Sequence, residues 1–436
     1  MGSFGALLIT LSCLSPSIGV FIVGSDVIKE AGTGVFVCFV AASVLGLAMA
    51  AVYGELASAF PETGGEYTIL GRALGPAWGV AVLSLNLLGF SIAQALSGVG
   101  VATYLVAVWP GLPVKPIAAI LVALVTATAV LNIKVNAVVT GAFLAVELLA
   151  LLLLASLGFA HPHRGPIAAI LTPAVASSVG LVRPSLAALG AATAGAIYAF
   201  NGYGAVVFLG EEMHEAPRRI ARVVFLSLAL AVITELVPLA GVLVGVPSLR
   251  ELTSAAAPVP TAIVLLGGPV LARAMSVAIA LAIFNAMIAV ALMSGRQLYS
   301  TGRDGLWPKP ISQALARIHP RLGSPWIATL AMGATSLAAC LLDPHVLVLI
   351  LGNGNVAIYA GLCLAALIGR RSGATSHTQF RMPFFPLPPL FGLTFLAGVV
   401  AFDLIDPPGR RGLAATTAAI VLALLYYAVV LRRRAV

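Results

Sequence analysis

Twelve stretches of this chain are apolar for long enough to be read as helices crossing a lipid bilayer. About 20 apolar residues cross the ~30 Å hydrocarbon layer as a helix. The stretches fall at roughly 4–29, 33–57, 77–107, 114–133, 136–159 and 186–210, then at roughly 222–246, 267–295, 326–342, 345–369, 387–405 and 413–431. Polar connections separate them, and those at 160–185 and 247–266 are rich in Pro, Gly and Ser. The pattern predicts an all-α membrane protein of twelve transmembrane helices, with no separate soluble domain.

Two of these helices do not read as uninterrupted rods. The first contains Ser12, Ser15, Pro16, Ser17, Gly19 and Gly24, and the sixth contains Gly195, Asn201, Gly202 and Gly204. A backbone broken at bilayer depth persists only where it is buried in protein or lines a polar cavity. The first and sixth spans each open a set of five. Two five-helix halves followed by two peripheral helices would therefore put both interruptions at corresponding points, the pattern that marks a transporter's midplane site. The competing explanation is helix packing through small residues. On the first reading residues 1–159 form the first five-helix repeat, 160–185 an extracellular loop, 186–369 the second repeat, and 370–436 the two peripheral helices with a basic tail.

Composition agrees with the pattern. Of 436 residues 60% are hydrophobic and 9% charged, which excludes a water-soluble globular chain. The formal net charge is +9, but no aromatic-and-basic motif points to nucleic acid. With both termini placed in the cytoplasm, 16 of the 24 Lys and Arg lie on that side, the asymmetry expected of an inner (plasma) membrane protein. Cys13, Cys38, Cys340 and Cys363 lie within apolar spans at unrelated spacings, so neither a disulfide framework nor a metal site is expected. The apolar N-terminus lacks the basic region and cleavage site of a signal peptide and reads as a retained first span. No phosphate-binding loop is present, and His161 and His163 are not accompanied by a hydrolase motif, so neither an ATP-driven pump, an enzyme nor a cofactor is indicated.

Four strings carry a resemblance: SPSIGVF at 15–21, YGELASAFPETGGEY at 53–67 followed by GRALGPAWG at 71–79, FNGYG at 200–204 with EEMHEAPRRIAR at 211–222, and SGRQLYSTGRDGLWP at 294–308. In this order the chain resembles the amino acid-polyamine-organocation (APC) transporters, over most of the first ten spans. The resemblance implies a LeuT-like fold: a five-plus-five inverted repeat with broken helices 1 and 6 holding an α-amino acid between them. One departure is Gly204, where several cationic-substrate exchangers of that family carry a glutamate.

Physically, half-helices meeting at the midplane leave backbone groups unpaired. Amides near Gly19, Val20 and Gly204 can hold an α-carboxylate, and carbonyls near Leu14, Ser15 and Phe200 can accept from an α-ammonium. The expected substrate site comprises Ser15, Ser17, Ile18, Gly19 and Val20 in helix 1, Gln94 and Ser97 in helix 3, Phe200, Asn201, Gly202, Tyr203 and Gly204 in helix 6, and Asn285 in helix 8. For Gln94 an interhelical hydrogen bond is an equal alternative. Asn353 and Asn355 are polar at depth in helix 10.

Two acids stand alone within apolar spans, Glu147 in helix 5 and Glu235 in helix 7. An acid at a helix centre costs about 2.5 to 3.5 kcal/mol on insertion, so such residues face a cavity or a partner. Glu147 stands where many proton-coupled relatives have a lysine, and it can bind and release a proton as a cavity alternates between wet and dry. Glu235 is followed by Pro238 and can instead serve carbonyls freed by a kink. Glu55, Glu62, Glu66, Glu211 and Glu212 face Arg72, Arg218, Arg219, Arg222 and Arg303 across the cytoplasmic connections and are candidates for an inner gate. The reading is a secondary active transporter of amino acids working by alternating access, proton-coupled or exchanging. A polyamine or organic-cation carrier of the same fold is the nearest alternative and a channel the more distant one.

Overall fold

The computed structural model describes residues 2–61, 64–131, 137–177 and 180–432. Lys134 and Glu62 lie outside the described residues, as do the side chains of Glu211 and Glu212. In hydrocarbon every backbone N–H and C=O needs an internal partner, and these apolar sequences meet that demand as helices. In chain order these are α1 (Ser3–Leu14), α2 (Gly24–Ala31), α3 (Val35–Ala59), α4 (Glu66–Leu74), α5 (Pro76–Val108), α6 (Val114–Val130), α7 (Ala137–Ala160), α8 (Pro166–Leu171) and α9 (Leu186–Ala199). Then follow α10 (Ala216–Gly245), α11 (Leu249–Ser254), α12 (Pro258–Arg303), α13 (Lys309–Leu315), α14 (Trp326–Ala339), α15 (Pro344–Ser372), α16 (Leu387–Ile405) and α17 (Pro407–Tyr426).

Among the described residues, eight helical stretches are long and apolar enough to cross a membrane, the first of them running from Ser3 to Ala59 across two of the expected spans. Three expected spans hold shorter apolar helices: α6, α9 and α14. Helix α9 is short because its chain breaks at Phe200, where the interruption of the sixth span was expected. Stretch α12 holds two helical segments separated by a kink at Gly268 (φ 73°) and Pro269, and the second segment begins where the eighth apolar span was expected.

Helix starts are set by side chains that accept from the exposed N–H groups of a first turn. Ser185 accepts from Ala188 (3.0 Å), Ser248 from Glu251 (3.1 Å), Asp343 from His345 (2.9 Å) and Asp406 from Gly409 (2.8 Å). The connection at 160–185 is structured: it carries α8 and a small antiparallel hairpin, β1 (Val175–Ser177) with β2 (Gly180–Val182), register Val175 to Val182. The hairpin's approach docks beside the end of α2, where Thr33 N–H donates to the Ala174 carbonyl (2.8 Å). The buried core centres on α2, α3, α5, α9, α10, α12 and α15, and the residues outside it present large apolar side chains such as Leu149, Leu152 and Leu422 to the surroundings.

Candidate functional site

Helix α1 stops at Leu14 because Ser15 adopts a left-handed conformation (φ 44°) and Pro16 has no N–H to continue the ladder. The chain resumes with Ile18 N–H donating to the Ser15 carbonyl (2.9 Å), then runs as a wide π-turn from Ile18 to Val23 into α2. The second interruption follows α9. Residues 200–204 form a turn around Gly202, whose φ of 118° suits glycine, and the chain leaves it as a 3-10 helix, Ala205–Glu212. The interruptions touch. A β-carbon on Gly202 would lie 2.6 Å from the Leu14 Cα and 3.0 Å from its N, so the two chains meet backbone to backbone.

Beside this contact is a cavity of about 140 Å³. Of the residues expected from sequence, Ile18, Ser97, Asn201, Gly202 and Gly204 line it, as do Leu14 and Asn355. The others lie outside its lining. Ser15 Oγ and the Ser17 N–H both donate to Glu147 Oε1, at 2.9 and 2.7 Å, so these groups are engaged by helix α7. Gly19 faces Glu235, and its own N–H reaches the Ser15 carbonyl (3.4 Å). Val20 is buried in the core. Gln94 Nε2 donates to the Met287 carbonyl (3.1 Å), the interhelical bond. Phe200 packs edge-on against Phe39 (5.7 Å), Tyr203 packs edge-on against Tyr53 (5.9 Å), and Asn285 has no place in the lining.

The two acids of the spans flank the helix 1 interruption. Glu147 is 4% exposed and holds Ser15 and Ser17 as described. Glu235 is fully buried and neither of its oxygens has a partner among the described residues. A β-carbon at Gly19 would sit 2.5 Å from the Glu235 carboxyl carbon, so only a residue without a side chain admits this acid. Ser17 Oγ, also buried, lies unpartnered near the same junction. Glu235 and Glu147 are close enough to interact electrostatically.

At the cavity's other wall is Glu66, the first residue of α4. It accepts from Tyr53 Oη (2.9 Å) and Asn86 Nδ2 (3.4 Å). Burial pushes its carboxyl above the ordinary carboxylate range, opposed by its own N–H and by the Tyr53 and Asn86 bonds. Sequence reasoning grouped Glu66 with the arginines of the connections, but its partners are a tyrosine and an asparagine. Spacing gave no signal for this, because Tyr53 and Asn86 belong to α3 and α5. The other gate candidates also pair differently. Glu55, fully buried, is held by Arg370 through two bonds (2.7 and 2.5 Å) and by the Met382 N–H (2.8 Å). Arg219 pairs with Glu215, and Arg303 with Asp304.

The cavity shares Cys13, Phe90, Ala205, Phe208 and Met293 with a vestibule of about 960 Å³ that runs past Arg72 and Arg296 to Tyr427 and Leu431, near the C-terminus. Away from the vestibule, three contacts tie the helix 1 region to its neighbours. Tyr104 Oη donates to the Phe21 carbonyl (3.1 Å), the Val259 N–H donates to Ser25 Oγ (3.1 Å), and Asp26 bonds His345 Nδ1 (2.9 Å). The last pair joins α2 to the start of α15 and had no signature in the sequence.

Three relatives place this architecture. The chain is 22% identical to the branched-chain amino acid permease BcaP of Bacillus subtilis, over 91% of this chain and 86% of that protein. It is 25% identical to the Asc-type amino acid transporter 1 of Mus musculus, over 89% and 74%. It is 23% identical to the methylthioribose transporter of Bacillus subtilis, over 94% and 88%. A family model described as amino acid permease matches residues 2–430, nearly the whole chain. An integral membrane protein whose first and sixth apolar segments break against each other, this chain belongs to the amino acid permease family.

Proposed function

We propose that this chain carries amino acids across the membrane by alternating access, with the substrate's α-carboxylate and α-ammonium held at the interruptions of helices 1 and 6. The observation that carries the reading is the backbone contact of Gly202 with Leu14 beside a largely apolar cavity that Ser97, Asn201 and Asn355 also line. Twelve crossing helices in a five-plus-five repeat, with both termini in the cytoplasm, accommodate the helix order and the excess of basic residues on one side. In that orientation the vestibule faces inward and the Tyr104, Ser25 and Asp26 contacts form the closed outer side. Two relatives are named for amino acids and one for methylthioribose, so family membership leaves the substrate open.

Glu147 and Glu235 supply the coupling. Glu147 grips the start of the helix 1 junction, and Glu235 stands against Gly19 with no hydrogen-bond partner among the described residues. Movement of helix 1 changes the surroundings of both acids at once, which ties a proton taken up or released there to the conformational step. The test is uptake of labelled amino acids into proteoliposomes with and without an inward proton gradient. Saturable uptake and counterflow are expected, with stimulation by the gradient that Glu147→Gln abolishes. Conductance without saturation would favour a channel, and a gradient response surviving in Glu147→Gln would remove that acid from coupling.

A further inference from the structure

Glu66 combines features that packing alone does not require. Its side chain belongs to a residue only 8% exposed, yet it lines the cavity. Two side-chain donors converge on the carboxyl, Tyr53 Oη and Asn86 Nδ2. It is also the first residue of α4, where the helix dipole favours a negative charge. The two hydrogen bonds and the helix start favour the charged carboxylate, while burial opposes it. Among the described residues no Lys, Arg or His forms an ion pair with it. A buried charge without a counter-charge is expensive, and a ligand that brings the opposite charge relieves the cost.

The placement relative to the helix interruptions is close. The Tyr53 ring that donates to Glu66 lies against Gly204, where a β-carbon would be 3.2 Å from two of its ring carbons. One phenol ring thus separates the helix 6 junction from the carboxyl. Two further polar groups on the same cavity lining have no partner among the described residues, Asn355 Nδ2 and Thr416 Oγ1, both on residues more than nine-tenths buried. The cavity consequently offers polar contacts beyond those that a zwitterionic backbone would use at the two junctions, and one of them is anionic.

We propose that Glu66 forms a side-chain ammonium subsite, so that this chain selects amino acids carrying a second protonated amine over apolar amino acids of the same shape. The inference rests on the reading that the cavity takes an amino acid. Tyr53 engages Oε1 and Asn86 Oε2, and the ammonium docks against the remaining lone pairs of the same two oxygens, while Asn355 and Thr416 meet the polar parts of the same ligand. Gly204 leaves room for the Tyr53 ring, so the acidic group reaches the cavity from α4 in place of helix 6.

L-lysine and L-norleucine provide the test, because they differ at the chain end by the ammonium. Counterflow of each labelled amino acid is measured in proteoliposomes holding the full chain. The expected half-saturating concentration is lower for lysine by roughly tenfold or more, the range of a charge-assisted hydrogen bond. Glu66→Gln shrinks that ratio to less than about threefold, while Glu66→Asp, which keeps the charge, retains a preference for lysine. Equal handling of the two amino acids by the unmodified chain, or a preference for norleucine, overturns the subsite and leaves amino acid transport standing. A ratio unchanged by Glu66→Gln also overturns it. Should Glu66→Gln fail to purify as a single species, the unmodified chain and Glu66→Asp decide the question. Failure of lysine, norleucine and leucine alike to give counterflow would overturn the transport reading itself.

Discussion

Gly202 is the residue on which the geometry turns. Its left-handed backbone excludes branched side chains, and its α-carbon lies where any substituent would enter the Leu14 backbone. Strain of this kind costs about 1 to 3 kcal/mol before the clash is counted. Gly202→Val is therefore expected to part the two interruptions, lowering the thermal midpoint in detergent and abolishing stabilisation by amino acids. Gly398 in α16 has open space where a β-carbon would stand, with nothing within 4 Å, and Gly398→Ala should change stability by less than about 0.5 kcal/mol and leave ligand stabilisation intact. Equal effects of the two substitutions would show that the Gly202 contact carries no special role. Gly19 makes the same point with a different neighbour: the side chain it lacks is the space that the Glu235 carboxyl occupies.

At the scale of elements, buried polar contacts tie the helix ends together. The end of α3 is bound to the end of α15 through Glu55 and Arg370, and Thr378 donates to the Glu55 carbonyl (3.1 Å). Glu55 is wholly buried, so Arg370→Met strands its charge and should destabilise the protein by about 3 to 5 kcal/mol, read from thermal unfolding. A loss below about 1 kcal/mol would mean that solvent reaches the pair. The interruption of helix 1 was legible in its Ser-Pro and glycine positions, and that of helix 6 in its Asn-Gly-Tyr-Gly run, because Gly and Pro report local backbone freedom. The π-turn after Ser15 was not legible, since it arises from how the helix restarts. Nor were the partners of Glu66, Glu55 and Asp26. Their counterparts at Asn86, Arg370 and His345 are supplied by other helices, and charge order along the chain does not single out a pair. Several polar residues expected at the site, among them Ser15 and Gln94, satisfy neighbouring helices, a demand that depth in the bilayer imposes and that a sequence cannot apportion.

At the scale of the whole molecule, the cavity at the two interruptions continues into the vestibule. Cys13 lines both cavity and vestibule, whereas Cys38, Cys340 and Cys363 are buried. A small thiol-directed reagent supplied from the vestibule side should label Cys13, a transported substrate should slow the labelling, and Cys13→Ser should eliminate it. Labelling indifferent to substrate would separate this passage from the transport path. The most direct measurement of the central claim is a cryo-electron microscopy map of the full chain in lipid with a transported amino acid bound. The account predicts density for that ligand bounded by Leu14, Ile18, Asn201 and Gly202, with both helices interrupted beside it. Continuous helices 1 and 6, or ligand density away from their junction, would contradict it.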